Sequence, residues 1–336
     1  MSNLFVLKRR EEYHLTSQGL STGLYNSAKF VCDLLISLGH AASLVVVEHS
    51  NEIDRVVSRV RPTRVFIEAL WVSPEKLTEL QRLHPQVQWI VRIHSQLPFL
   101  ANEGMAMSWL GEYRRIPKVW VAGNSPRFCR DVQGYVGSEQ LQFLPNYYPA
   151  HHFRTKLHDF TDRVLDVACF GAIRPLKNHL LQASVAIDFA DHRHKHLHFH
   201  VNADRIEMKG DSVLKNLVGL FDHQEGRHQL IRHPWMPHSE FLALCGQMDL
   251  GMQCSLSETF NIVGADLISQ GVPLIASHEI PWVPVEYGVT PTHGTEMFQQ
   301  LDRAYESPHL NLEAHRIELQ NYGRMSREIW AEFLTS

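Results

Sequence analysis

Short, continuous apolar runs recur along the chain, separated by stretches with helical spacing, and that alternation leaves few folds open. Leu4-Phe5-Val6-Leu7 is followed by a helical pattern over about 24–38. There Leu24, Ala28, Val31, Leu34, Leu35 and Leu38 share one face, and Gly39 closes the helix. Leu44-Val45-Val46-Val47, Val65-Phe66-Ile67, Trp89-Ile90-Val91 and Val119-Trp120-Val121 continue the series, with helices at about 51–60 and 75–83. An unbroken β-branched run suits a strand covered on both faces, as in a parallel sheet. A second series begins near Asp162, with strands at Val164–Phe170, Leu197–Val201, Leu230-Ile231, Asp249–Cys254 and Pro273–Ala276. Helical patterns lie between them at about 178–190, 238–246 and 260–270. Strands alternating with helices imply parallel sheets with right-handed crossovers. A length of 336 residues suits about two domains. The expected class is α/β, with two Rossmann-like domains whose parallel sheets face a central cleft. The domains are expected at 1–150 and 151–312, with Pro145–Thr161 as the linker and a C-terminal helix over 313–336. Ligands in such sheets sit at the carboxyl ends of the strands.

Composition removes other classes. Apolar residues at 44% and charged residues at 20% can build full cores and argue against general disorder. A net charge of −4 does not suggest a polyanion binder, although Arg9, Arg10, Arg114, Arg115 and Lys118 could form a local basic strip. The five cysteines, Cys32, Cys129, Cys169, Cys245 and Cys254, include no C-x-x-C pair, which fits a reducing compartment. No apolar run approaches the roughly 18 residues of a membrane helix. The N-terminal apolar run is too short for a signal core. A cytoplasmic protein without stable membrane insertion is expected.

Two loops stand out. Cys254 to Asp266 follows a strand and opens a helix, where free N–H groups and the helix dipole favour an anion. Glu258 is expected at that opening, with Asp266 eight residues on, at most about 12 Å along a helix. A helix cap at Glu258 and a solvated Asp266 are equally open at this point. Gly171-Ala172-Ile173-Arg174-Pro175-Leu176-Lys177-Asn178 also follows a strand. Gly171 permits a tight turn, and Arg174 with Lys177 suits a diphosphate.

Glu258-Thr259-Phe260 through Asp266, then Gly271-Val272-Pro273-Leu274-Ile275-Ala276-Ser277, resembles the E-x7-E signature and following strand of GT-B glycosyltransferases, closest to the family 4-like retaining group. Gly171 with Lys177 is similar to that group's phosphate-binding turn. Gly19 to Gly23 with Gly39-His40 resembles its glycine loop and helix end, Pro145-Asn146 its interdomain element, and His94 its histidine after a strand. The resemblance implies GT-B architecture and transfer of a sugar from a nucleotide-diphosphate sugar to an acceptor hydroxyl with retention. It implies donor contacts at Gly23, Gly171, Arg174, Lys177, Glu258, Thr259, Phe260, Asn261 and Asp266. Glu258 would hold sugar hydroxyls, Asp266 the ribose and Lys177 the leaving diphosphate. His94 would reach the transferred sugar from across the cleft. No cofactor or metal is implied. The chain departs from the pattern with Asp266 for Glu, Ala172 for Arg and Asn261 for Gly. A non-catalytic sugar-nucleotide binder, a glycosyltransferase acting on a modified nucleic-acid base and a sugar-nucleotide epimerase stay open. The acceptor is a saccharide, another small molecule or a nucleic acid.

Histidine is abundant, at 22. His192, His194, His196, His198 and His200 alternate, and on one extended strand all would share a face. Such imidazoles can bind metal, but no acidic motif nearby completes a ligand set, so a polar strand face is expected. His233, His238 and His278 are expected to be structural. Because unperturbed histidine titrates near pH 6.5, mild acidification is expected to cost solubility or activity.

Overall fold

The computed structural model describes residues 2–9 and 22–335. They form two compact units, one of the described residues up to Pro149 together with those from Tyr322 on, the other of Ala150–Asn321. The division within the C-terminal helix thus falls at Asn321–Tyr322 rather than near residue 313.

The first unit runs β1 (Ser2–Lys8), α1 (Thr22–Ser37), β2 (Ala41–Val47), α2 (Glu52–Val60), β3 (Arg64–Glu68), α3 (Pro74–Leu83), β4 (Gln88–Ile93), α4 (Leu97–Leu100), α5 (Ala106–Tyr113), β5 (Val119–Gly123), α6 (Pro126–Val136) and β6 (Leu141–Phe143). Its sheet is parallel throughout, in the order β2-β1-β3-β4-β5-β6. The unbroken apolar runs have the expected cause. Leu4, Val6, Val65, Ile67, Val91 and Val121 bury one face under α2, α3, α5 and α6. Phe5, Phe66, Ile90 and Ala122 bury the other with residues of α1 and with Trp330 and Phe333. The latter two belong to α12 (Pro308–Thr335), whose last turns are part of this unit. Trp330 also donates its Nε1–H to the Pro145 carbonyl at 2.9 Å. Pro145 and Asn146 are therefore built into the first unit and do not form a free linker.

The second unit runs β7 (Val164–Ala168), α7 (His179–His192), β8 (His196–Asn202), α8 (Gly210–Asp222), β9 (Gln229–His233), α9 (His238–Cys245), β10 (Leu250–Gln253), α10 (Ile262–Ser269), β11 (Leu274–Ser277), β12 (Gly288–Val289) and α11 (Gly294–Glu306), then the first part of α12. Its order is β12-β11-β10-β7-β8-β9, again all parallel. Counted from β7, this is the doubly wound order in which strand succession reverses between the first and fourth strands. Ligands bind at that reversal, beyond the carboxyl ends. Here it lies between β7 and β10, whose following loops are the two singled out by sequence.

The helices α4, α5, α6, α8 and α11 add to the sequence expectation. Among the described residues, no helix is long and apolar enough to cross a membrane.

Burial also sets a pH dependence. His179 and His315 are 1% and 0% exposed. Burial pushes their pKa values down to about 3 and about 4, with Lys177 and Arg174 adding to the effect at His179. In the unfolded chain both would titrate near 6.5. Below that pH the unfolded chain takes up protons that the folded chain refuses, so stability falls as pH falls. At about pH 5.5 the pair costs roughly 3 kcal/mol. His238, raised by Asp266 against burial, works in the opposite direction. We expect the urea midpoint to drop between about pH 7.5 and pH 5.5. An unchanged midpoint would contradict this account.

Candidate active site

The turn after β7 begins at Gly171, whose φ of 118° lies where side chains are strained. The Lys177 side chain passes over it, with Cε 3.7 Å from where a Cβ would stand. The Gly171 N–H donates to Asn202 Oδ1 at 3.0 Å. Arg174 is extended and pairs with Glu207 at 3.4 Å. Lys177 ends a short 3-10 turn over Pro175–Lys177, and Asn178 then takes a left-handed conformation that starts α7.

Side-chain bridges tie this turn to the loop after β10. Gln182 accepts from the Cys254 N–H at 2.8 Å and donates to the Lys177 carbonyl at 2.7 Å. Asn178 donates to the Cys254 carbonyl at 3.1 Å, and the Leu256 N–H to the Leu176 carbonyl at 2.9 Å. These contacts bring Lys177 Nζ onto Glu258 Oε1 as an ion pair, each residue 9% exposed. Burial pushes the Glu258 carboxyl up, but Lys177 and Arg174 outweigh it and hold the group below the usual carboxylate range.

The helix expected from residue 260 starts at Ile262, so Glu258 lies in the loop and not at the helix opening. Asn261 is the cap, with φ 61°, and its Oδ1 accepts from the Gly264 N–H at 2.8 Å. Its Nδ2 donates to Gln253 Oε1 at 2.9 Å. Thr259 and Phe260 are buried, and the Phe260 carbonyl accepts from Trp282 Nε1 at 2.6 Å. Asp266 is not a solvated face residue; it is 2% exposed, and its Oδ1 stands 3.0 Å from His238 Nε2. His238, expected to be structural, is thus bonded to the candidate ribose ligand. Its signal was its place at the start of a helix that follows a strand end in the same unit.

In the first unit, His94 follows β4 and is 12% exposed at its side chain. Its Nε2 is bonded to Glu68 Oε2, and Asn124 Nδ2 stands 3.4 Å from its Nδ1. Glu68, at the end of β3, and Arg92, in β4, are fully buried. Arg92 Nη1 donates to both Glu68 oxygens at 3.2 and 2.9 Å. Its Nη2 donates to Asn146 Oδ1 at 2.6 Å and the Pro145 carbonyl at 3.0 Å, and its Nε to the Leu144 carbonyl at 3.1 Å. Burial and Arg92 push the His94 pKa down against Glu68, so its imidazole is neutral near pH 7. A neutral ring that donates Nε2–H to Glu68 leaves Nδ1 as its acceptor. Glu68 and Arg92 were missed by sequence, although a polar residue at the end of each apolar run was a visible signal.

Gly23 lies in the first turn of α1, and Gly19 lies outside the described residues. Of the proposed basic strip, Arg9 pairs with Glu48 at 3.1 Å. Arg114 and Lys118 donate to the Tyr135 and Pro85 carbonyls, and Arg10 lies outside the described residues. The five alternating histidines do not share one strand. His192 ends α7, His194 has φ 55°, and only His196, His198 and His200 lie in β8. An acid that sequence did not connect to them, Asp166 of β7, bonds to His198 and His200.

No family model matches the chain, and no curated protein matches it. Solved structures do. A sucrose-phosphate synthase from Thermosynechococcus elongatus is 14% identical with a TM-score of 0.69, over 99% of this chain and 100% of that one. A glycosyltransferase from Rickettsia africae is 12% identical with a TM-score of 0.69, over 99% and 97%. A UDP-forming α,α-trehalose-phosphate synthase from Burkholderia xenovorans is 12% identical with a TM-score of 0.67, over 100% and 98%. With its two units of six parallel strands, the chain has the GT-B fold.

Proposed function

We propose that the chain is a glycosyltransferase that moves a sugar from a nucleotide-diphosphate sugar to an acceptor hydroxyl with retention of configuration. The observation that carries this reading is the meeting of Lys177, Arg174 and Glu258 at the strand-order reversal of the second unit. The named activities of the similar structures, a sucrose-phosphate synthase and a UDP-forming trehalose-phosphate synthase among them, point the same way.

Lys177 and Arg174 offset the negative charge that grows on the diphosphate as the glycosidic bond breaks. Preorganised charge of this kind is usually the largest catalytic term. These fixed cations do the work that a metal would do, so transfer needs none. Glu258, held ionised, accepts hydrogen bonds from sugar hydroxyls. Asp266, with His238 behind it, takes the ribose, and Asn261 shapes the backbone between them. The Asp266–His238 bond holds the carboxylate in one orientation. His94 contacts the transferred sugar as a neutral imidazole fixed by Glu68. The acceptor hydroxyl attacks on the face the diphosphate leaves, and its proton passes to a donor phosphate oxygen.

The test is product analysis. The chain is incubated with a sugar nucleotide and a panel of saccharide acceptors, and the product anomer is read by NMR. Transfer with retention is expected. Inversion would overturn the mechanism. Tight donor binding without transfer or donor hydrolysis would instead favour a non-catalytic binder.

A further inference from the structure

We propose that Asp166, His198 and His200 form a divalent transition-metal site on the sheet of the second unit, apart from the donor loops. Parallel pairing sets Asp166 beside His198 and Ala168 beside His200. Paired positions, and positions two apart on a strand, project to the same face. All three side chains therefore rise from one side of β7 and β8. Asp166 Oδ1 is 3.2 Å from His198 Nδ1 and 2.9 Å from His200 Nε2. The three ligand atoms all lie within 4.8 Å of one another.

The chemistry of the set selects the ion. Two imidazoles and one carboxylate suit zinc, cobalt or nickel and not the all-oxygen shells of magnesium or calcium. A tetrahedral centre with ligands at about 2.1 Å places them roughly 3.4 Å apart. The carboxylate–imidazole separations need to widen by only a few tenths of an ångström, and small side-chain rotations close the third. Asp166 and His198 are 33% and 30% exposed at their side chains, which gives the ion a way in and leaves a position for water.

A supporting shell is already present. His233 Nε2 stands 2.8 Å from His200 Nδ1, and the two rings stack with centroids 5.1 Å apart. A His200 Nδ1–H that donates to His233 frees the His200 Nε2 lone pair for metal, as outer-shell partners of metal-bound histidines do. Asp249 Oδ2 accepts from the Asp166 backbone N–H at 2.9 Å and steadies that strand position. Without metal, His200 takes the other tautomer, with Nε2–H donating to Asp166 and Nδ1 accepting from His233. Metal binding thus moves the His200 proton from Nε2 to Nδ1, and the His233 proton from Nε2 to Nδ1 in step, so that His233 Nε2 turns from donor to acceptor. The ligands lie within β7 and β8, whereas Lys177 and Glu258 lie in the loops after β7 and β10.

The full chain is stripped with a chelator and titrated with zinc sulfate against a chromophoric competitor. A parallel titration uses cobalt(II), whose visible absorption reports tetrahedral coordination. One tight equivalent and a tetrahedral cobalt spectrum are expected. The nitrogen chemical shifts of His200 should change tautomer on zinc binding. His198→Ala and Asp166→Asn should each remove the tight equivalent, and His233→Phe should weaken it by about 10- to 100-fold. His192→Ala and His194→Ala should leave it intact, which separates the site from scattered surface histidines. The wild-type cobalt spectrum and the tautomer readout stand even where a variant folds poorly. Equal zinc binding by His198→Ala and wild type, or only octahedral cobalt, would overturn the proposal.

Discussion

Lys177→Ala and Glu258→Ala are each expected to lower kcat/KM for sugar transfer by about a hundred- to a thousandfold, the usual loss when one preorganised charge-stabilising group is removed. The two residues sit 81 positions apart in the chain and meet as a buried ion pair. That pairing adds a second consequence. Removing one partner leaves the other charge buried and uncompensated, which costs about 3–5 kcal/mol of stability. A single alanine variant therefore loses both activity and thermal stability. The double variant Lys177→Met with Glu258→Gln separates the two effects. It removes both charges at similar volume and should recover most of the stability, because a buried pair replaced as a unit is often neutral. Its transfer activity should stay as low as that of either single variant. A double variant that regains activity with stability would mean that the pair is only structural.

Glu68→Ala is expected to destabilise the first unit by about 3–5 kcal/mol, read from the urea midpoint. Glu68 and Arg92 are both fully buried, and the other acceptors of the guanidinium, Leu144, Pro145 and Asn146, are neutral. Burial pushes the Glu68 carboxyl up, but Arg92 and His94 hold it below its usual range, so it is ionised near pH 7. Its loss strands the Arg92 charge. Replacing both, as Glu68→Leu with Arg92→Met, should recover part of that stability, since the stranded charge is gone while the Leu144 and Asn146 acceptors lose their donor, and it leaves His94 without its anchor. Activity should then remain low while the fold is sound. A loss of under about 1 kcal/mol in Glu68→Ala would show that water or a side-chain movement satisfies Arg92 at little cost.

The strand framework was legible because both faces of the first parallel sheet and one face of the second are buried, so runs such as Leu4–Leu7 and Val164–Phe170 are almost wholly apolar. The helix at 126–136 was missed although Ser125-Pro126 is a strong start signal, with proline at the first helical position. The two anion-suited loops were picked out one at a time. That Lys177 and Glu258 form a pair depends on β7 lying next to β10, which local spacing does not encode. The same holds for Glu68 with Arg92, joined by the pairing of β3 with β4. Asp166 illustrates the point most clearly. A single acid within an apolar strand and an alternating histidine run were both visible, 32 residues apart, and only the β7–β8 register puts them together. Register is a tertiary property set by the turns and helices between strands.

The central claim is that the loops after β7 and β10 hold a nucleotide-diphosphate sugar. Thermal unfolding in the presence of uridine, guanosine and adenosine diphosphate sugars tests it most directly. A member of that panel at 100 times its Kd should stabilise the wild-type chain by about 2.7 kcal/mol, and Lys177→Ala should abolish the shift. A wild-type chain that responds to none of them at millimolar concentration would contradict the account.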